Sequence, residues 1–281
     1  MLTFSQVDVF TSSFLYGNPV AVVHDADSVS DEEMAAFARW TNLSETTFLV
    51  APTVPEADYR LRIFTTRREL PFAGHPTLGS ARAWLENGGQ PHSTDVLVQE
   101  CGAGLVRMKK VDSRWAFAAP PLIRGGSVSA DDLAEVAATI GIDVADVVDA
   151  QWADNGPGWV AVLLPSAEHV LALEPRTRRP GRLSNIGVVG PWPPGSETAY
   201  EVRAFMAVQA GSEDPVTGSL NAALGQWLIP AGHAPESYVA AQGTRLGRRG
   251  RLHVSRIDGD IWVGGDTVLG IRGDVALPHG G

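Results

Sequence analysis

Hydrophobic and polar positions along the chain predict many short strands and a few helices. Apolar residues alternate with period two in both halves, which is typical of half-buried strands. The predicted strands are Val7–Phe10, Val20–Val23, Asn42–Val50, Tyr59–Phe64, Val96–Gln99, Leu105–Lys109, Trp115–Ala118, Tyr200–Phe205, Tyr238–Ala241, Leu252–Ser255 and Ile261–Val263. This mixture of strands with isolated helices indicates an α+β protein.

Helices are predicted where the apolar spacing changes to that of a helix face. Ser30 and Glu33 have the spacing of a capping box, and Ser129 can cap a helix that ends near Gly141. Two further helices begin at segments that contain glycine, Gly74-His75-Pro76 and Thr217-Gly218-Ser219. Both carry apolar residues at helical spacing, so we expect each of them to pack against strands.

The second half of the chain repeats features of the first. Gly156–Val162 is similar to Gly17–Val22, and Thr217–Leu228 is similar to Gly74–Leu85. Both pairs have nearly the same separation, about 140 residues, which indicates duplication of a strand-rich unit built around one central helix. We therefore predict an N-terminal domain at 1–118 and a C-terminal domain at 119–265. We expect a last strand, at about 266–281, to return to the first domain.

Composition and charge narrow the class of protein. The chain has 281 residues, of which 44% are hydrophobic and 19% charged, and this excludes a disordered chain. Its formal net charge is −10 and its pI about 5.1. Because nucleic-acid binders usually present a basic face, we expect no nucleic-acid partner.

Neither a membrane segment nor a local metal motif is visible. No apolar run approaches the ~20 residues of a membrane helix, and no signal peptide is apparent, so we expect a cytoplasmic protein without a membrane partner. The single cysteine, Cys101, excludes an internal disulfide and a cysteine zinc site. The seven histidines are scattered, so no metal site is predicted. Gly102-Ala-Gly104 lies between two strands and is interpreted as a hairpin turn.

The two glycine-containing helix starts are candidate anion sites. A helix N-terminus has unpaired N–H groups and partial positive charge. Gly74 and Gly218 would let a ligand approach the backbone closely. Two such ends facing each other would suit a carboxylate or an enolate. The alternative is that both segments are only helix caps.

Three polar side chains could add chemistry to these helix starts. His75 should be biased toward its neutral form by the helix dipole, and could donate a hydrogen bond to a developing oxyanion. Asp214 could orient that histidine or hold a substrate amine. Glu45, in the predicted strand Asn42–Val50, would have a raised pKa and could carry a proton if it faced a closed cleft. The alternatives are a capping or solvated His75 and an outward, solvated Glu45.

Together these motifs resemble the PhzF family of phenazine-biosynthesis isomerases, and they span nearly the whole chain in that family's order. The motifs are Asp8-Val-Phe-Thr, Gly17-Asn-Pro-Val-Ala-Val22, Asn42-Leu-Ser-Glu45-Thr-Thr-Phe, Arg62-Ile-Phe-Thr, Glu69-Leu-Pro-Phe-Ala-Gly-His75-Pro-Thr and Glu213-Asp214-Pro-Val-Thr-Gly218-Ser219.

The resemblance implies a fold and an assembly. The fold would be diaminopimelate-epimerase-like: two pseudo-symmetric domains, each a mixed, barrel-like sheet around a central helix, with the active site in the cleft between them. The resemblance also implies a homodimer that needs no cofactor or metal.

The resemblance further implies a reaction on a small-molecule substrate. It implies a cofactor-independent isomerase that moves a proton, and with it a double bond, in a small unsaturated cyclic amino acid or carboxylate. In the best-understood activity of that family, a glutamate at the position of Glu45 moves a proton between carbons of trans-2,3-dihydro-3-hydroxyanthranilate in phenazine and antibiotic biosynthesis, and a related secondary-metabolite pathway is the other possibility. His75 and Asp214 match residues that bind and polarise the substrate. Gly74, Gly218 and Ser219 match the helix ends that hold it.

Two other functions stay open at the level of sequence. One is an epimerase that pairs Glu45 with a second base, His75 or Asp214, since related two-thiol racemases place cysteines where this chain has none. The other is a non-catalytic small-molecule-binding protein. The segment Thr65-Thr66-Arg67-Arg68 also replaces the family's more usual Thr-Pro, so that side of the pocket can differ.

Overall fold

A computed structural model describes residues 1–175, 183, 185–206 and 212–277. The strands are β1 Leu2–Val9, β2 Asn18–Val23, β3 Thr46–Val50, β4 Tyr59–Phe64, β5 Glu69–Leu70, β6 Val96–Cys101, β7 Gly104–Val111, β8 Arg114–Ala118, β9 Arg124–Ser127, β10 Asp149–Asp154, β11 Trp159–Leu163, β12 Asn185–Pro191, β13 Tyr200–Met206, β14 Ser212–Asp214, β15 Ser237–Gln242, β16 Gly250–Ile257, β17 Asp260–Gly264 and β18 Thr267–Val275. The α-helices are α1 Asp31–Thr41, α2 Gly74–Glu86, α3 Ala130–Ile140, α4 Ala167–Ala172 and α5 Gly218–Leu228.

The chain divides into two compact units. The first comprises Met1–Ala118 and the segment from Gly264 onward, and the second comprises Ala119–Val263. In the first unit, β18 pairs antiparallel with β1. The last strand of the described chain therefore lies beside the first.

The sheet of the first unit is mixed and surrounds one helix. Its strand order is β18, β1, β2, β3, β4, β6, β7 and β8, with the short β5 also paired to β4. The pairs β2–β3 and β4–β6 are parallel, which requires the crossovers that contain α1 and α2. Helix α2 contacts β1, β2, β3, β4, β8 and β18, so it is the central helix.

The second unit repeats this topology for the strands that correspond to β18 through β7. Its order is β9, β10, β11, β12, β13, β15 and β16, with the short β14 also paired to β13. The pairs β11–β12 and β13–β15 are parallel, and the crossovers contain α4 and α5. Helix α5 packs on β10 and β16. The α+β fold and the duplication around central helices are thus confirmed.

Small residues let the central helices approach the sheets closely. A Cβ added at Gly79 of α2 would lie 2.3 Å from Cγ1 of Val20 in β2. In the second unit the glycine is on the strand: a Cβ at Gly187 of β12 would lie 2.3 Å from Cδ1 of Leu220 in α5. A methyl group at either position would therefore have to displace a buried side chain.

Several local predictions are confirmed in detail. Ser30 and Glu33 form the predicted capping box of α1, and the side chain of Ser129 caps α3. Cys101 pairs with Gly104 across the β6–β7 hairpin, as the interpretation of Gly102-Ala-Gly104 predicted. None of the helices in the described residues is long and apolar enough to cross a membrane.

The prediction of a strand over Asn42–Val50 is wrong at its start. Asn42 ends α1 in the left-handed conformation, with φ 55°, and the following residues form a bend before β3 begins at Thr46. An asparagine tolerates this conformation because its short polar side chain can hydrogen-bond locally. Glu45 therefore lies in the loop that leads into β3 and not within the strand.

Close packing at Gly187 gives a test of the fold. We expect Gly187→Ala to reduce the free energy of unfolding by about 1–3 kcal/mol, because the new methyl group overlaps the Leu220 side chain. The matched control is Gly273→Ala on β18, where a Cβ meets nothing within 4 Å, and we expect its effect to stay within about 0.5 kcal/mol. Urea unfolding measures both, and equal effects would contradict the packing argument.

Candidate functional site

The carboxyl group of Glu45 is enclosed within the first unit. Its side chain is 16% exposed, and its Oε2 atom is buried. Oε2 lies 3.3 Å from Nε2 of His75, the second residue of α2. The alternative of an outward, solvated Glu45 does not fit this placement, and the loop before β3 directs the carboxyl group toward the start of the central helix.

His75 is a neutral histidine in these surroundings. Its side chain is 7% exposed, and the ring is held by Nδ2 of Asn18, 3.5 Å from Nδ1, and by the backbone of Pro19. Burial lowers the pKa of His75 to about 3, although the hydrogen bond with Pro19 acts in the opposite direction. A nearby carboxylate also favours the imidazolium, but the loss of hydration dominates for a ring this enclosed. The neutral form was predicted, and its main cause is burial.

The central helices start without side-chain caps. Ala73 and Thr217 occupy the cap positions of α2 and α5, and neither makes a side-chain cap hydrogen bond. By contrast, Ser30 and Ser129 cap the outer helices α1 and α3. Neither glycine-containing segment therefore supplies a side-chain cap. Uncapped N–H groups at a helix start favour an anion.

Gly74 also has a packing role that the sequence did not show. A Cβ at this position would lie 2.4 Å from Cζ of Phe117 in β8. Any side chain at residue 74 would displace this aromatic ring, so the glycine allows α2 to start against the sheet. Its role in ligand binding remains a prediction.

In the second unit, Asp214, Gly218 and Ser219 surround the start of α5. Asp214 ends β14, and its Oδ2 accepts a hydrogen bond of 2.6 Å from the hydroxyl of Thr217. The Oγ atom of Ser219 accepts a hydrogen bond of 3.1 Å from Nε1 of Trp159, and its carbonyl accepts one of 2.9 Å from Nδ2 of Asn155. These two partners of Ser219 were not predicted.

Equivalent contacts in the two units reveal their common origin. Asn18, the first residue of β2, lies against His75. Trp159, the first residue of β11, lies against Ser219, as does Asn155 of the preceding turn. In each unit the start of this strand therefore contacts the second residue of the central helix. The repeated Gly-rich segments in the sequence marked these strand starts and the turns before them. They gave no indication that residues there hold the helix starts.

The turns are themselves held by aspartates at matching places. Asp8 of β1 accepts a hydrogen bond of 3.1 Å from the N–H of Gly17. Asp154 of β10 accepts bonds of 2.8 and 2.7 Å from the N–H groups of Gly156 and Gly158. A carboxylate that accepts backbone N–H groups fixes the turn conformation.

An arginine–glutamate clamp precedes each central helix. Arg62 of β4 donates two hydrogen bonds of 2.7 Å to Glu69 of β5, and Arg203 of β13 donates two of 2.9 and 2.7 Å to Glu213 of β14. Both glutamates lie the same number of residues before their helix. The second clamp is buried, with side-chain exposures of 5% and 8%. Bidentate pairs of this kind fix orientation, so each clamp anchors the segment that leads into the helix.

Cys101 ends β6 and belongs to neither segment that leads into a central helix. Cys101 is buried at the end of β6, and burial raises the pKa of its thiol. Within residues 1–175, 183, 185–206 and 212–277, no group of three or more His, Cys, Asp or Glu side chains could hold a metal ion.

Comparison with known proteins identifies the family. The model of the family "Phenazine biosynthesis-like protein" matches residues 7–273. The chain belongs to this family, the PhzF family. A fission-yeast relative, "Antisense-enhancing sequence 1" of Schizosaccharomyces pombe, is 36% identical over 96% of this chain and 97% of its own length. The trans-2,3-dihydro-3-hydroxyanthranilate isomerase of Pseudomonas aeruginosa is 34% identical over 88% of this chain and 87% of its own.

A solved structure supports the same fold. The PhzF-family protein of Bacillus anthracis superimposes with a TM-score of 0.83 at 23% identity, covering 98% of this chain and 99% of that one. The predicted family and its diaminopimelate-epimerase-like fold are confirmed. The prediction of an isomerase is confirmed at the level of the PhzF family, several members of which are named isomerases.

Burial of the neutral His75 should make this PhzF-family protein less stable in mild acid. The pKa of His75 is lower in the folded than in the unfolded chain, so unfolding takes up a proton as the pH falls from 6.5 toward 3. We expect the His75→Gln variant to lose less stability than the parent between pH 6.5 and 5, by about 1–2 kcal/mol. Urea unfolding at both pH values measures the difference, and parallel losses would contradict a buried neutral ring.

The two clamps should differ in strength because they differ in burial. Arg203→Met leaves the buried Glu213 carboxylate without its partner, and we expect a loss of about 3–5 kcal/mol in the free energy of unfolding. Arg62→Met is the matched control, since Glu69 is 41% exposed, and we expect about 1 kcal/mol or less. Chemical denaturation compares them, and similar losses would be inconsistent with the burial argument.

Proposed function

We propose that this PhzF-family protein is a cofactor-independent isomerase that moves a proton, and with it a double bond, in a small unsaturated cyclic amino acid or carboxylate. The observation that carries the proposal is the enclosed pair of Glu45 and a neutral His75 at the uncapped start of α2. The relative named trans-2,3-dihydro-3-hydroxyanthranilate isomerase gives one candidate substrate, and related secondary-metabolite substrates of the same class are others.

Glu45 is the proposed general base and acid. Its carboxylate removes a proton from a carbon beside the conjugated system, and the electron pair left behind is spread over that system. The same carboxyl group then returns the proton to another carbon, so substrate and product are isomers and no redox partner is needed. A group that both accepts and returns a proton must lie beside the substrate carbons in an enclosed site, and the buried Oε2 of Glu45 supports this role.

His75 is the proposed hydrogen-bond donor to the charge that develops on the substrate. A neutral imidazole can donate from one ring nitrogen without adding a full charge to an enclosed site. Its low pKa also makes it a poor second base, which favours an isomerase over an epimerase that pairs Glu45 with His75. The N–H groups at Gly74 and Gly218 are proposed to bind the substrate carboxylate.

Asp214 and Ser219 are the proposed substrate contacts of the second unit. Asp214 is half-buried, and its carboxylate is oriented by Thr217. It would bind the substrate amine, which carries the opposite charge. The hydroxyl of Ser219 accepts a hydrogen bond from Trp159, so its own proton is available for a substrate oxygen. We further propose that the protein acts in the cytoplasm as a homodimer, as the family resemblance implies.

Replacing the proposed base gives the direct test. We expect Glu45→Gln to reduce both turnover and the incorporation of solvent deuterium into substrate by ~10²-fold or more, since the amide cannot carry a proton. Trans-2,3-dihydro-3-hydroxyanthranilate and unsaturated cyclic amino acids form the substrate panel, in D₂O. Glu32→Gln, an exposed change in α1, is the control that should retain turnover.

The same assay separates the proposed isomerase from the two other functions. An isomerase produces a new absorbance band, an epimerase only a new stereoisomer on chiral chromatography, and a binding protein neither. Near-normal turnover of Glu45→Gln would remove Glu45 from the mechanism.

A further inference from the structure

A fully buried glutamine at the end of β15 holds the segment that carries Asp214. The Oε1 atom of Gln242 accepts hydrogen bonds of 3.0 Å from the N–H of Thr217 and 2.9 Å from Nδ2 of Asn221. Its Nε2 donates bonds of 3.1 Å to the carbonyl of Asp214 and 2.8 Å to the hydroxyl oxygen of Thr217. A primary amide has two donors and two acceptor positions, so every one of them is used within this one segment.

The orientation of the Gln242 amide is fixed by its partners. If its nitrogen and oxygen were exchanged, the NH₂ group would face the N–H of Thr217 and the NH₂ group of Asn221, two donors that cannot accept from it. The hydroxyl oxygen of Thr217 therefore accepts from Gln242, and its proton is directed to Oδ2 of Asp214, 2.6 Å away. A continuous chain of donors thus runs from Gln242 to the Asp214 carboxylate.

The first unit contains an equivalent glutamine without this connection. Gln99 of β6 is also fully buried. It donates a hydrogen bond of 3.1 Å to the hydroxyl oxygen of Thr77 and accepts one of 3.3 Å from the hydroxyl of Tyr59. Gln99 and Gln242 both lie on the strand that follows the central helix and both contact that helix. Of the two glutamines, only Gln242 also bonds to the segment in front of its helix. That segment carries Asp214, whose carboxylate is proposed to bind the substrate.

The backbone at Asp214 is held from two directions. Gln242 holds its carbonyl, and the buried Arg203–Glu213 clamp holds the preceding residue. Because a small misplacement of a substrate-binding group can reduce a rate by 10²-fold, the side chain that sets the direction of this carboxylate matters for the reaction.

We propose that Gln242 is a positioning residue: it orients the Asp214 carboxylate through Thr217 and fixes the Asp214 backbone through its carbonyl. This inference rests on the proposed function only in assigning Asp214 to the substrate. The hydrogen-bond chain itself depends on the described residues of the second unit.

The test is a double-mutant cycle in turnover with a matched control. We expect Gln242→Met to lower kcat/KM by ~10- to 100-fold. Gln99→Met should change kcat/KM by about threefold or less, although it should shift the unfolding midpoint about as much as Gln242→Met does. In an Asp214→Asn background, Gln242→Met should have little further effect, because the group it positions is already altered. Gln242→Glu, which keeps the size and both acceptor positions but as a carboxylate has no donor, is the second variant if Gln242→Met does not fold, and we expect it to lower kcat/KM to a similar extent.

Two results would overturn the inference. One is an effect of Gln242→Met that adds in full to that of Asp214→Asn, and the other is an equal loss of kcat/KM in Gln99→Met, since either would indicate a purely structural role. If Glu45→Gln and Asp214→Asn both keep full turnover, the proposed function fails instead. A double-mutant cycle of Gln242→Met and Thr217→Val, measured by the free energy of unfolding, then tests the hydrogen-bond chain. Coupled effects of the two substitutions support the chain, and additive effects overturn it.

Discussion

The start of a helix that is enclosed by its own sheet is the constraint on which the rest of this structure depends. Helices α2 and α5 are buried along most of their length, so their first N–H groups are not all open to solvent, and neither helix has a side-chain cap. Unpaired N–H groups in such a place are costly unless a ligand or a neighbouring polar group satisfies them. At the start of α5 the buried Gln242 reduces this cost by accepting from the N–H of Thr217. N–H groups that stay unpaired at a helix start favour an anion.

Duplication explains why so much of the framework occurs twice. Each unit has an aspartate that fixes a turn, an arginine–glutamate clamp, and a glutamine behind the central helix. The units differ in the residues that carry the proposed chemistry. The second residue of the helix is His75 in one and Ser219 in the other, and the clamp is followed by Leu70 in one and Asp214 in the other. The repeated contacts maintain the fold, and the differences between units supply distinct functional groups.

Burial has different consequences for His75 and Glu45, the two side chains proposed to handle the proton and the charge of the substrate. It keeps His75 neutral over the pH range in which proteins are usually studied, which makes this ring a hydrogen-bond donor and not a charge. For Glu45, the same surroundings shield the carboxyl oxygen that would carry a proton between carbons. A single desolvated region can therefore assign different roles to two titratable side chains that lie 3.3 Å apart.

The sequence by itself determined the features that depend on neighbours along the chain. It identified the capping box at Ser30, the cap at Ser129, the β6–β7 hairpin and the starts of both central helices, because local propensity and periodicity control them. It also identified the duplication, and the motifs that resemble the PhzF family named Glu45 and His75 as candidates. Only the tertiary structure placed Glu45 in a loop against His75, gave Gly74 its contact with Phe117, and brought Asn155, Trp159 and Gln242 to the start of α5. Those contacts join residues that are distant along the chain, so no local pattern encodes them, and burial decides which of their polar groups must be paired.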